Sequence, residues 1–117
     1  MLVRALTFNR CGKGATDTLF IDLDIPFEDF NNVFKFHYER ILELVLTEYG
    51  YNTLFKQYTK SRNGYTHLTL VIDACVDYEK ALVLKFLLGD DRNRITLQLW
   101  RLRTIGNPLD YFNGSHH

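Results

Sequence analysis

Neither sign of charge dominates this chain. Its 117 residues carry 14 basic and 14 acidic side chains. A balanced chain is not held on nucleic acid or on an anionic surface by bulk charge, although a local basic patch remains open to it. Cysteine is scarce, with only Cys11 and Cys75, too few and too widely spaced for a metal-ligand pattern. Read from sequence, the pair is expected to be two free thiols, one in a loop and one half-buried, as suits a reducing compartment. No apolar run is long enough to span a bilayer, because residues such as Glu43 and Lys85 interrupt the longest ones. The N-terminus shows no basic stretch followed by a signal-type apolar core. The expectation is a cytoplasmic protein without membrane contact. Phosphate-loop spacing is missing too. Gly12-Lys13-Gly14 does not supply Gly, four residues and then Gly-Lys-Ser/Thr.

What is present suffices for one core: the chain is 46% hydrophobic and 15% aromatic. One domain is expected over residues 1–113, with Gly114-Ser115-His116-His117 reading as the remnant of a purification tag. Leu2 to Phe8 is apolar and offers an additional N-terminal strand. From Thr18 to Asp24, Leu19, Ile21 and Leu23 alternate with Phe20, Asp22 and Asp24, the period of a half-buried strand that Pro26 ends. Asn31 or Asn32 then caps a helix with the apolar stripe Phe34, Tyr38, Ile41, Leu42 and Val45, closed by Gly50. Tyr51–Lys60 and Tyr65–Ile72 read as a hairpin around Ser61-Arg62-Asn63-Gly64, with Leu68, Leu70 and Ile72 inward and Tyr65, His67 and Thr69 outward. Asp77 caps a second helix running to about Leu88, with Ala81, Leu82 and Phe86 toward the sheet, and Gly89 ends it. Arg94 to Leu102 alternates again and predicts a last strand.

Strand, helix, strand, strand, helix, strand is the split βαβ order. The predicted fold is α+β, ferredoxin-like or RRM-like βαββαβ, with one antiparallel sheet and two helices on one face. The first and third strands lie in the middle, the fourth beside the first and the second beside the third. Alternation then delivers Asp22, Asp24, His67 and Gln98 to the face without helices. Carboxylates at i and i+2 on a strand suit a hard divalent cation. A donor-rich turn followed by a histidine suits an anion such as a triphosphate. Taken singly, each feature also has a plainer reading as a charged strand face or an ordinary hairpin turn.

Three pieces together resemble the catalytic core of the archaeo-eukaryotic primase superfamily. They are Phe20-Ile21-Asp22-Leu23-Asp24, then Ser61-Arg62-Asn63-Gly64-Tyr65-Thr66-His67, then Arg94-Ile95-Thr96-Leu97-Gln98-Leu99. The segment Leu88 to Ile95 also looks like stretches in small proteins of archaeal viruses and plasmids. The resemblance implies Asp22 and Asp24 as metal-holding catalytic carboxylates for Mg²⁺ or Mn²⁺. It implies Ser61, Arg62 and His67 as the triphosphate site. The family's third acid is replaced by Gln98, so metal-dependent nucleotidyl transfer is expected to be weak or lost. The chain would then be a nucleotide- or nucleic-acid-binding domain of a replication-associated mobile element, in the host cytoplasm if viral.

Two alternatives stand beside it. One is a non-catalytic binder of single-stranded nucleic acid using Arg94, Trp100 and Arg101, with phosphate pairing and base stacking. The other is a structural ferredoxin-like homodimer with the outer sheet face buried.

Overall fold

The computed structural model describes residues 11–91, 96–98, 100 and 101. The expected Leu2–Phe8 strand, Arg94 and the terminal tag residues lie outside them. Strand β1 spans Ala15–Pro26. A short helical turn, α1, Phe27–Asp29, runs through a π-helical turn, Phe30–Phe34, into the long helix α2, Lys35–Tyr49. Strands β2, Thr53–Lys60, and β3, Tyr65–Asp77, form the hairpin, and helix α3, Tyr78–Leu87, follows. The sheet is antiparallel in the order β1-β3-β2. This is an α+β fold with a small three-stranded antiparallel sheet, in which the third strand pairs with both the first and the second.

Among the described residues there is no fourth strand. Residues 96–98, 100 and 101 are helical. Their burial has a helical phase: Gln98 and Arg101 turn inward, while Leu97 and Trp100, also three apart, are exposed. On the flank of β1 that a fourth strand would use, the N–H of Asp22 donates instead to the Asp90 carboxylate at 2.8 Å. A side chain thus occupies a backbone donor that a ladder would need.

The helical layer starts earlier than predicted. Asn31 and Asn32 fall inside the π turn, and no side chain caps the helix there. A π turn inserts one residue into the helical repeat. That extra residue rotates Phe30, fully buried, onto the side of Tyr38, eight positions later, and leaves Phe34 44% exposed. Phe30, Tyr38 and Tyr58 then form an aromatic cluster, with Phe30 4.7 Å from the Tyr58 ring centroid and 5.7 Å from that of Tyr38. The core-facing residues of α2 are Tyr38, Leu42 and Leu46; Ile41 is exposed. On α3 they are Ala81, Leu82, Leu84 and Lys85, whereas Phe86 is exposed.

The other helix ends follow the sequence. The Asp77 side chain accepts from the Lys80 N–H at 2.7 Å, an N-cap. Both long helices end in the same C-terminal motif. Gly50 N–H donates to Thr47 O and Tyr51 N–H to Leu46 O; Gly89 N–H donates to Phe86 O and Asp90 N–H to Lys85 O. Gly89 is required twice over. Its φ is +93°, and a Cβ there would meet Leu23 Cδ2 at 3.3 Å. That turn swings Asp90 back against β1.

Asp90 arrives beside Lys85, with Nζ 3.5 Å from Oδ2 and both side chains at or below 1% exposure. Burial pushes the Asp90 carboxyl up to about 6 in spite of the nearby ammonium, and burial lowers the Lys85 ammonium. The folded chain therefore holds the Asp90 proton more tightly than the unfolded chain does. That contribution to stability is complete below the unfolded carboxyl range and disappears as pH rises through about 6. Glu28, Glu39 and Asp73 work the other way, because hydrogen bonds from Lys60, from Lys56 and Tyr58, and from Asn52 lower their carboxyls. Their support fades only in stronger acid. The midpoint of thermal unfolding is expected to be several degrees higher at about pH 5 than at about pH 7.5. A flat or opposite profile in calorimetry would contradict this balance.

The expected free thiols are a disulfide. Cys11 and Cys75 are bonded, with Cα atoms 5.6 Å apart and a sequence separation of 64. The cause is topological: Ala15 pairs with Asp77 and Thr16 with Val76, so the entry to β1 lies beside the exit of β3. Among the described residues no helix is long and apolar enough to cross a membrane.

Candidate functional site on the outer sheet face

The phase of the ladder sets the site. Ser61 N–H donates to Tyr65 O at 2.7 Å. Alternation from that pair makes Phe55, Gln57 and Thr59 exchange bonds with β3. His67, opposite Thr59, spends its backbone groups on β2. Facing Asp22 of β1, it stands in a pair without backbone hydrogen bonds, where side chains approach most closely. His67 Nε2 lies 2.9 Å from Asp22 Oδ1, and each side chain is 30% exposed. The two residues expected on one face are on one face and in contact.

Asp24 does not join them in register. The β1–β3 ladder runs to Leu23↔Thr66 and resumes at Pro26↔Tyr65, so Asp24 and Ile25 form a bulge. Thr66 Oγ1 donates to Ile25 O at 2.9 Å across it, and Asp24 is exposed. Gln98, expected beside the aspartates on a strand, is buried in the helical segment. Among the described residues no three His, Cys, Asp or Glu side chains could share a metal ion.

The turn is ordered by its own bonds. Gly64 N–H donates to Ser61 O at 3.0 Å, and Tyr65 N–H donates to Ser61 Oγ at 3.0 Å. Arg62 is exposed at its tip. Gly64 O accepts from Phe27 N–H at 2.8 Å, which ties the turn to the start of α1. Trp100 is 59% exposed and Arg101 half-buried, both on the helical segment and not on a strand.

The outer face is less open than the sequence suggests. Val71 points there, opposite Phe55, and is fully buried within a single chain. Phe20, Asp22, His67 and Thr69 are half-buried, while Gln57, Thr59 and Tyr65 are exposed. Access concentrates at the hairpin end, around Asp22, His67 and the turn. One buried carboxylate escaped the sequence reading. Asp17 sits at a second β1 bulge, between Thr16 and Thr18, is 2% exposed, and accepts from Thr18 Oγ1 at 2.9 Å. The sequence reading starts the strand at Thr18, whereas β1 begins at Ala15 and includes it. Comparison with protein families, with curated proteins and with solved structures finds no match to this chain.

Proposed function

We propose that this domain binds a nucleotide, or the phosphate-bearing end of a single strand, at the hairpin end of its outer sheet face. It would be primase-like in layout, with metal-dependent phosphoryl transfer lost. The observation that carries the reading is the Asp22–His67 pair, with His67 three positions after the Ser61–Gly64 turn. An imidazole that carries both ring protons can donate one to a carboxylate and the other to a phosphate. Arg62 adds a guanidinium suited to the same anion. Mg²⁺ or Mn²⁺ would come with the triphosphate, and Asp24 is the exposed carboxylate nearest in sequence to receive it.

The strand order β1-β3-β2 supports a ferredoxin-like ancestry in which a helix has taken the place of the fourth strand. A cytoplasmic setting, such as the host of an archaeal virus, is reconciled with the Cys11–Cys75 bond if the host is hyperthermophilic, since disulfides persist inside such cells.

Titration with a nucleoside triphosphate and Mn²⁺, followed by calorimetry, tests the site. His67→Ala is expected to weaken binding by about 10- to 100-fold, the worth of one hydrogen bond to a charged group. Asp22→Asn should weaken it less. No heat at millimolar ligand, or equal affinity in His67→Ala, would reject the proposal. The exposure of Trp100 favours a second surface, for base stacking. On that reading Trp100→Ala would cost about 1–3 kcal/mol of single-strand affinity and leave mononucleotide binding unchanged.

A further inference from the structure

Helix α2 gives one face to the core, through Tyr38, Leu42 and Leu46, and turns the opposite face outward. There His37, Ile41, Leu44 and Glu48 follow at steps of four, three and four residues. That is the spacing of a seam between two helices. All four are exposed, Ile41 at 48% and Leu44 at 66%. Phe36, Arg40 and Glu43, also exposed, flank the seam on one side. An ordinary surface helix puts polar residues at the centre of its outward face, not two aliphatic ones. The charges here are sorted by sign. His37 and Arg40 precede Ile41 and Leu44 or stand at the start of the seam, and Glu43 and Glu48 belong to its second half. Glu39, on the inner flank, is already paired with Lys56. None of Arg40, Glu43 and Glu48 forms an ion pair with another described residue.

We infer that α2 packs antiparallel against α2 of a second copy of this chain, across a two-fold axis between Ile41 and Leu44. A two-fold sets positions equidistant from the axis opposite one another. Ile41 then meets the partner's Leu44, and Leu44 the partner's Ile41. His37 meets the partner's Glu48, where an imidazole N–H finds a carboxylate to accept it. On the flank, Arg40 and the partner's Glu43 are offset by only about 3 Å along the helix, at 1.5 Å per residue. A guanidinium thus faces a carboxylate. Symmetry makes each pair twice. Parallel packing would instead set Arg40 beside Arg40 and Glu48 beside Glu48. Charge therefore names the occupant. The outward face of α2 is complementary to itself in reverse, with its apolar pair at the centre. This surface lies on the helical side of the sheet, so the dimer leaves the nucleotide site on the other face open.

The test is sedimentation equilibrium of the whole chain at about 0.1 mM, a concentration suited to the small interface that one helix from each copy makes. The parent is expected to be a dimer. Leu44→Lys places a charge at the centre of the seam without touching the core, and should weaken the dimer by at least about tenfold. Arg40→Glu and Glu43→Arg should each sediment as monomers, because two like-charge contacts replace two opposite ones. Mixing these two variants in equal amounts should bring the dimer back, since both flank contacts then again join opposite charges. Recovery on mixing also shows that both variants are folded, and Leu44→Lys decides alone if either is not. A monomeric parent overturns the inference. So does a dimer that survives Leu44→Lys, which would put the contact elsewhere, such as on the outer sheet face. Two folded charge variants that dimerise singly, or that stay monomeric when mixed, would overturn the antiparallel pairing.

Discussion

Asp90→Ala is expected to lower the stability of the fold by about 3–5 kcal/mol at neutral pH, the cost of stranding a buried charge. Three losses coincide. The Lys85 ammonium, 1% exposed, loses the carboxylate 3.5 Å away. The Asp22 N–H on the flank of β1 loses its acceptor at 2.8 Å. The Asp91 N–H, which also donates to Asp90 Oδ1 at 2.9 Å, loses the same partner. Lys85→Met combined with Asp90→Asn should behave differently. The amide oxygen keeps an acceptor for Asp22, and the thioether fills the space of the lysine stem without a charge. The double variant is expected within about 1–2 kcal/mol of the parent, because an apolar replacement of a buried pair is often close to neutral. Urea unfolding of the parent, Lys85→Met, Asp90→Asn and the double variant closes the cycle and gives the coupling energy. A loss below about 1 kcal/mol in Asp90→Ala would show that the pair does not hold α3 against β1.

Removing the disulfide has an effect of similar size through the unfolded chain. The Cys11–Cys75 bond closes a loop of 64 residues. Loop-closure entropy for that length corresponds to about 4 kcal/mol. Cys11→Ser with Cys75→Ser should therefore shift the urea midpoint strongly downward, and reducing the parent should reproduce the shift. Reductant should leave the double variant unchanged. An unchanged midpoint in reduced parent would mean that the unfolded chain is not constrained by the bond. The two experiments are separable, since Lys85 and Asp90 act at the end of α3 and the disulfide joins the entry of β1 to the exit of β3.

Much of this architecture is legible in residue order. The alternation Leu19, Ile21, Leu23 and Leu68, Leu70, Ile72 marks two core-facing strands, and all six residues are buried. Gly50, Gly64 and Gly89 mark turns, and each has the positive φ that glycine permits. Asp22 and His67 could be set side by side because pleat and topology together fix a face.

What stayed hidden has physical causes. The π turn at Phe30–Phe34 changes helical phase with no residue-level signature, so Phe34 was expected inside and Phe30 was not. The bulges at Asp17 and Asp24 depend on register, which one strand cannot reveal alone. Arg94 to Leu102 alternates as a strand would, yet its described residues are helical, and tertiary context decides such short segments. Lys85, read as a charge that interrupts an apolar run, is buried with Asp90. The disulfide joins residues that only the folded sheet brings together.

The central functional claim is that the Asp22–His67 pair and the neighbouring turn receive a phosphate group. The most direct measurement is the His67 imidazole resonances in NMR during titration with a nucleoside triphosphate, first without and then with Mg²⁺. The account predicts a saturable shift of those resonances at sub-millimolar ligand, together with shifts at the Arg62 and Gly64 amides, and its loss in Arg62→Ala. Resonances that stay fixed to millimolar ligand, while Trp100 or other distant groups respond, would contradict it.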